Sequence, residues 1–334
     1  MTTDQAPRTA GRNPSDGETR SRGLLAPILL GVGVFLLTTA LALRFFVADR
    51  LLVAPTNLYQ KTTLQAIGAS YFDAGAVQDR TGATLTLTST MRGDVKAAKG
   101  DTAVWDVFQV LEDIPNGGNE VSIIQQRLAF DRGSGELKAC CGTHVNNDTS
   151  VRPSGLSGLF WPVGSLEKKT YQVFDASTKR SWPAEYQGTE TIRGVKAYKF
   201  VQTIPDTVIA TLPEVPSTLL GIPGKSRNVA ADRYQRATIA YWVDPRSGVT
   251  VHREQQVVQT LRGKDGNGSK IVADFTLKMT PQSQKELVAK ADDTASKVSL
   301  LRVTGPLVSL LLGLALLGAG AAAMLRRRGT RHAS

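Results

Sequence analysis

Side-chain catalysis needs a nucleophile, an acid or a base held near a partner, and this 334-residue chain has few residues that could serve. Its three histidines are His144, His252 and His332, and no H-E-x-x-H or G-x-S-x-G motif sets one beside a metal ligand or an activated serine. His252 lies in a strand candidate beside Arg253 and Glu254, the setting of a surface histidine. Gly224-Lys225-Ser226 has the ending of a phosphate-cradling loop, but Leu219 stands where that loop needs its first glycine. The acidic neighbours Glu112-Asp113 and Asp292-Asp293 read as solvated loop or helix faces, not as opposed carboxylates. These patterns predict no enzyme, no metal centre and no cofactor.

The two cysteines, Cys140 and Cys141, are adjacent. A metal or redox pair would need C-x-x-C spacing and further ligands, and only His144 is near. Two readings remain, a disulfide between neighbours that stiffens a turn and two free thiols on opposite faces of a strand. The disulfide is the expectation carried forward.

Two apolar segments suggest binding more than catalysis. Residues 155–164 (GLSGLFWPVG) and 204–224 (IPDTVIATLPEVPSTLLGIPG) mix large apolar side chains with proline and glycine, which work against long regular structure. Such segments bury their side chains in a core, against a membrane or against an apolar ligand. If they cover a lipid cavity, Phe160, Trp161, Leu212, Leu219, Leu220 and Ile222 are the candidate apolar contacts. Lys168, Lys169 and Lys225 then stand where an anionic headgroup would lie, with Lys179, Arg180 and Arg227 nearby.

The elements that would position these residues follow from hydropathy and charge. Residues 23–43 carry no charge over twenty-one positions, and 303–325 form a second uncharged run. At about 1.5 Å per helical residue each matches a hydrocarbon core of about 30 Å. Arg8, Arg12, Arg20 and Arg22 precede the first run, and Arg326, Arg327, Arg328 and Arg331 follow the second. By the positive-inside rule both tails are cytoplasmic and the middle is exported across the cell membrane. A cleaved signal peptide is the competing reading of 23–43, but its apolar stretch exceeds the roughly 7–15 residues usual for one.

Of the net charge of +11, the middle holds 32 Lys and Arg against 26 acids, a surplus suited to anionic lipid headgroups or wall polymers. Nucleic acid does not suit a segment held outside the membrane.

Within the middle, residues 83–90, 103–111, 121–130, 197–203, 238–243, 249–260 and 270–278 read as strands. In the last, Ile271, Ala273, Phe275 and Leu277 alternate with charged positions, as in a half-buried antiparallel strand. Turns at 131–135 and 244–248 share a D-x-x-S-G pattern and hint at two related halves joined near 155–170. From 282 to 301 the period becomes helical, giving either a stalk or a helix packed on the sheet domain.

The predicted fold is therefore mainly β, an exported antiparallel sheet domain (curved sheet, barrel or sandwich) between N- and C-terminal transmembrane helices. Its segments are a tail at 1–22, a span at 23–43, the β domain at 44–280, a helical stalk at 281–302, a span at 303–325 and a basic tail at 326–334.

Phe160-Trp161-Pro162-Val163-Gly164, Cys140-Cys141-Gly142, AEYQGTETIRGVKAYKFVQTIPDT at 184–207 and YWVDPRSG at 241–248 add a resemblance. With the two flanking spans, they make the chain resemble, over nearly its whole length, an actinobacterial family of two-span envelope proteins known as PorA-type porins or as a domain of unknown function. The resemblance implies a cell-envelope protein with a link to lipoglycan assembly. The WVDPRSG hairpin also looks like that of periplasmic lipoprotein-carrier folds, half-barrels that cradle acyl chains. The resulting expectation is a membrane-anchored protein that binds a lipid or lipoglycan, with envelope-assembly proteins as partners. A porin-like channel subunit and a structural partner-binding protein without a lipid ligand are the alternatives.

Overall fold

The computed structural model describes residues 16–224 and 227–331. Two compact units divide the chain, one made of residues 1–51 with 299–334 and the other of 52–298. Four α-helices occur among the described residues: α1 (Asp16–Ala42), α2 (Ala48–Leu51), α3 (Pro281–Ser299) and α4 (Gly305–Arg331). Twelve strands belong to the second unit: β1 (Tyr59–Asp73), β2 (Gln78–Gly93), β3 (Thr102–Asp113), β4 (Asn119–Asp131), β5 (Leu137–Lys138), β6 (His144–Val145), β7 (Tyr171–Asp175), β8 (Arg180–Ile192), β9 (Val195–Pro216), β10 (Asn228–Val243), β11 (Thr250–Gly263) and β12 (Ser269–Met279).

In the first unit α1 and α4 pack through small residues. A Cβ on Gly33 would lie 3.0 Å from the Gly313 carbonyl oxygen, and one on Gly313 equally close to that of Gly33. The helices thus approach backbone to backbone, the usual way of joining apolar helices that have no hydrophobic drive to associate in lipid. Thr38 and Thr39 donate their hydroxyls back to carbonyls of their own helix, Val34 and Phe35 for Thr38 and Phe35 for Thr39.

The strands of the second unit form one antiparallel sheet in the order β5-β4-β3-β2-β1-β12-β11-β10-β9-β8-β7, with β6 also on β4. The sheet curls into a half-barrel. Its first and last strands are neighbours, with Leu64 opposite Met279 and Tyr71 opposite Ala273, so two meanders flank a central seam. Leu64, Ala66, Leu85, Leu111, Phe200, Ile204, Ile239, Phe275 and Leu277 belong to its main buried core.

The connection from β6 to β7 crosses this concave side. Leu137 of β5 donates its N–H to the Gly155 carbonyl, Leu156 donates to Gln172, and Phe174 of β7 donates to Leu156. Two residues therefore join the opposite edges of the sheet. Gly155 has φ 68°, and a Cβ there would meet the Gln172 carbonyl oxygen at 2.3 Å, so only glycine fits.

Four sequence expectations need correction. Residues 204–216 are not a broken loop but the second half of β9. Pro205 and Pro213 fall at register shifts between β9 and β10, and β8 pairs only as far as Gln202, so neither missing N–H costs a ladder bond. Ile271 does not share the inner face with Ala273. A bulge shifts the pairing from Gln259–Ala273 to Thr260–Ile271 and turns Ile271 outward, 58% exposed.

His252 is buried, not at the surface. Its ring lies against Trp242 at 4.7 Å between centroids, Nδ1 is 2.7 Å from Gln284 Nε2 of α3, and burial holds its pKa below the ordinary imidazole value. Asp113 is also buried and accepts the Tyr71 hydroxyl at 2.9 Å, whereas Asp292 pairs with Arg246 and Asp293 with Lys297 at the surface. As for the helical stretch, α3 packs on the sheet unit, with Leu287 in the main core and Ala291 beside Val195, Ala197, Trp242 and Val251.

Candidate functional site

The concave face is filled at one end and hollow at the other. In the filled part the 155–164 segment supplies the packing. Trp161 is 0% exposed, stacks on Phe200 at 4.9 Å, and meets Tyr171 and Tyr241 edge-on at 5.6 and 5.7 Å. Phe160 turns the other way, to Phe130 at 5.6 Å and Trp105 at 6.1 Å. Gln202 completes this region by donating Nε2 to the Val173 carbonyl at 2.6 Å and accepting the Tyr241 hydroxyl at 3.2 Å. Burial pushes the Tyr241 phenol up to about 12.

The hollow part is a cavity of about 360 Å³. Its apolar wall includes Phe72, Leu87, Leu111, Ile239, Val257, Val272, Phe275 and Leu277, from β1, β2, β3, β10, β11 and β12. The 155–164 segment reaches it only through Ser157 and Leu159. Polar side chains enter from β10 and β11, as Arg233, Gln235, Arg253, Gln255 and Gln259, and from other strands and turns, as Asp73, Gln109, Asn119, Glu120, Gln126 and Asp175. Polar groups set beside an apolar wall are the make-up of a small-ligand site, where the apolar part gives affinity and the polar groups fix orientation.

The two arginines are not one clamp. Arg233 sits opposite Leu261 and Arg253 opposite Tyr241, eight positions apart on β11 and so roughly 27 Å at about 3.4 Å per residue. Arg253 lies 5.5 Å over the Tyr241 ring and donates to Gln255 Oε1 at 2.7 Å. Its charge acts on buried Asp175, where burial nevertheless raises the carboxyl pKa against hydrogen bonds from the Thr178 N–H at 2.7 Å and hydroxyl at 2.8 Å. Arg233 donates to Gln259 Oε1, and burial alone lowers its pKa. Among the described residues neither arginine forms an ion pair with a carboxylate.

The residues singled out from sequence lie elsewhere. Phe160 and Trp161 are packing within the protein. Leu212, Leu219, Leu220 and Ile222 form a side cluster with Val215, Ala231, Leu261 and Val272, which borders the cavity through Phe72 and Val272. Lys168 lies 5.3 and 5.7 Å from the rings of Tyr198 and Tyr186, and Lys169 pairs with Glu167 at 2.7 Å. Lys225 lies outside the described residues. Cys140 and Cys141 are paired through their sulfurs, away from the cavity wall, and the Cys141 carbonyl accepts Arg127 Nε at 3.1 Å.

Sequence reasoning missed Arg233, Gln235, Arg253, Gln255 and Gln259. The period-two rows R-x-Q at 233–235 and R-x-Q-x-V-x-Q at 253–259 are the available signal. The opposite row of β11, with His252, Glu254 and Gln256, is just as polar, so hydropathy does not reveal which row faces inward.

The chain thus combines a curled antiparallel β-sheet that lines a hollow with two helices long and apolar enough to cross a membrane. The family described as Porin PorA matches residues 25–322, and the chain belongs to that family. A Porin PorA of Corynebacterium resistens is 23% identical over 253 residues, covering 57% of this chain and 61% of its own. A Porin PorA of Corynebacterium amycolatum is 26% identical over 156 residues, covering 40% of this chain and 39% of its own. The chain thus spans less than two thirds of either relative. Family and helices together associate it with a membrane or envelope. Of the readings made from sequence, the shared name favours the porin-like channel over lipid or lipoglycan binding.

Proposed function

We propose that the chain is a non-enzymatic protein of the cell membrane whose exported half-barrel holds the apolar part of a lipid or lipoglycan in its concave cavity. The observation that carries this reading is the cavity itself, about 360 Å³, with a wall of aliphatic and aromatic side chains on β1–β3 and β10–β12 set beside polar and charged ones. Its volume falls in the usual small-ligand range of roughly 300–1,000 Å³. Each buried methylene contributes about 0.8 kcal/mol, so part of one acyl chain gives useful affinity. The two apolar helices anchor the domain with both termini cytoplasmic, in line with the arginine flanks. In this account envelope-assembly proteins receive or supply the lipid.

A porin-like channel is the second reading, favoured by the name of the family and of both relatives. Two features count against a pore in this chain alone. The outer row of β11 and β12 carries Glu254, Asp274 and Lys278, with Lys278 3.4 Å from Glu254, whereas the lipid face of a transmembrane barrel is apolar. The threonines of α1 bond to their own helix, which leaves little to line water.

Native mass spectrometry of the full chain, released from lipid nanodiscs, tests the choice. Co-purified lipid lost on Leu277→Asp with folding intact supports the binding reading. Lipid-free protein that gives discrete conductance steps in planar bilayers, abolished by deletion of 52–298, establishes the channel instead.

A further inference from the structure

The polar groups at the Arg233 end of the cavity form a chain of hydrogen bonds with a fixed direction. A guanidinium can only donate, so the Gln259 atom facing Arg233 Nη2 must be its carbonyl oxygen. Gln259 Nε2 then points to Gln235 and donates to its Oε1 at 2.7 Å. Gln235 is thereby left with its own Nε2 turned outward from the relay, and among the described residues that atom has no acceptor although Gln235 is only 2% exposed. Arg233 Nε is likewise buried without an acceptor. The two orphan donors stand two residues apart on one face of β10, beside the apolar cavity wall.

Each part of this arrangement points to the same kind of ligand. A purely structural polar network closes on itself, because an unmet buried donor costs stability. Here only donors are left over, and they accompany a cation without a carboxylate partner. The carboxylates of Asp73 and Glu120 line the same cavity, Asp73 already paired with Arg80, but a cation is repelled at Arg233 itself, and a neutral hydroxyl there meets one donor and leaves the charge uncompensated. An oxyanion supplies several acceptor lone pairs together with the missing negative charge, and its bonds to a guanidinium are of the stronger, charge-assisted kind.

We propose that Arg233 and Gln235, braced by Gln259, form the headgroup site of the cavity and bind a phosphate-type oxyanion. This rests on the reading that the cavity holds the apolar part of an amphiphile, and it adds which end receives the headgroup and what charge that headgroup carries. Arg253 Nε is also buried without an acceptor, but Arg253 does not duplicate the site, because its charge is shared with Asp175 and the Tyr241 ring and, among the described residues, no second orphan donor stands beside it.

The test uses the full chain in phosphatidylcholine nanodiscs and two photoreactive lipids with the same diazirine-bearing acyl chains, phosphatidic acid and diacylglycerol. Phosphatidic acid should label β10–β12 peptides at least fivefold more than diacylglycerol does. Arg233→Gln should erase that excess and leave diacylglycerol labelling unchanged. Gln235→Glu should also erase it, and by supplying an internal acceptor and charge should raise the melting temperature of the lipid-free protein by about 2–4 °C. Equal labelling by both lipids in the wild type overturns the headgroup site while the cavity reading stands. No labelling by either overturns both.

If Gln235→Glu lowers the melting temperature and keeps the preference, Gln235 is structural and the proposal fails. Inorganic phosphate that suppresses the phosphatidic acid signal supports the oxyanion site with free phosphate as a second source. Failure to compete supports a site that takes phosphate only on a lipid.

Discussion

Gln202 on β9 and Gln235 on β10 are both buried on the concave side of the same sheet, 0% and 2% exposed, yet their surroundings differ in kind. Gln202 donates to a backbone carbonyl and accepts a tyrosine hydroxyl, within an aromatic cluster centred on Trp161. Gln235 accepts one bond and has a donor left over at the wall of a cavity. The first region is a packed core, filled by stacked and edge-on rings, in which, among the described residues, the indole N–H of Trp161 is the one polar group of the cluster left without a partner. The second has the leftover polarity of a place built for something outside the chain. Burial alone does not separate the two glutamines, but an unmet donor that faces an open cavity does.

The largest effect that would sharpen this contrast is expected at the filled end. Trp161→Ala should cost about 3–5 kcal/mol, measured by denaturant unfolding, because it opens a void between Phe200, Tyr171 and Tyr241. A loss below about 1 kcal/mol would mean that the segment is a movable cover and not core. Gln202→Leu comes next. Leaving the Val173 carbonyl and the Tyr241 hydroxyl without their partner should cost about 1–3 kcal/mol. The contrast between the two glutamines breaks if this variant proves as stable as the wild type.

Asp175 gives a pH-dependent prediction. Burial raises its folded pKa above the unfolded value of 3.8, so the folded state holds its proton more tightly than the unfolded state does. Stability from this group is full below that unfolded value and is lost as pH rises through the folded pKa. Asp175→Asn keeps the acceptor for Thr178 and never ionises. Its melting temperature should match that of the wild type near pH 4 and exceed it increasingly toward neutrality. A constant difference across that range would show that Asp175 is ionised in both states and that Arg253 compensates its burial.

The smallest effect is expected at Lys168, which the sequence offered as a headgroup contact. Its nitrogen lies over the rings of Tyr198 and Tyr186. Lys168→Ala should change stability by no more than about 0.5–1 kcal/mol and leave lipid labelling of the cavity unaltered. A lost phosphatidic acid preference in this variant would move the headgroup site to the 155–170 connection.

What could be read from the residues depended on how local its cause was. The uncharged runs, the alternating strands at 83–90 and 103–111, and the Asp-led turns follow from neighbouring residues and were legible. The second half of β9 was not, because a strand tolerates Pro205 and Pro213 only where bulges and an uncovered edge release it from pairing, and those depend on β8 and β10. The site was illegible for a related reason. Phe160 and Trp161 announce that they must be buried but not by what, and here the protein itself does it. Arg233 and Gln235 look like ordinary surface residues until the register with β11 puts them inside.

The pairing of β1 with β12 has a consequence for how the domain comes to be folded. Its central seam joins residues near 64–71 to residues near 273–279, so the contact on which both meanders lean is among the most distant in sequence. Loop-closure entropy makes such contacts slow to form. Until β12 has been synthesised, β1 and β11 both present open edges that can pair with other chains. Folding of the sheet therefore finishes only once β12 is available, and the growing chain depends on protection from aggregation for most of its synthesis.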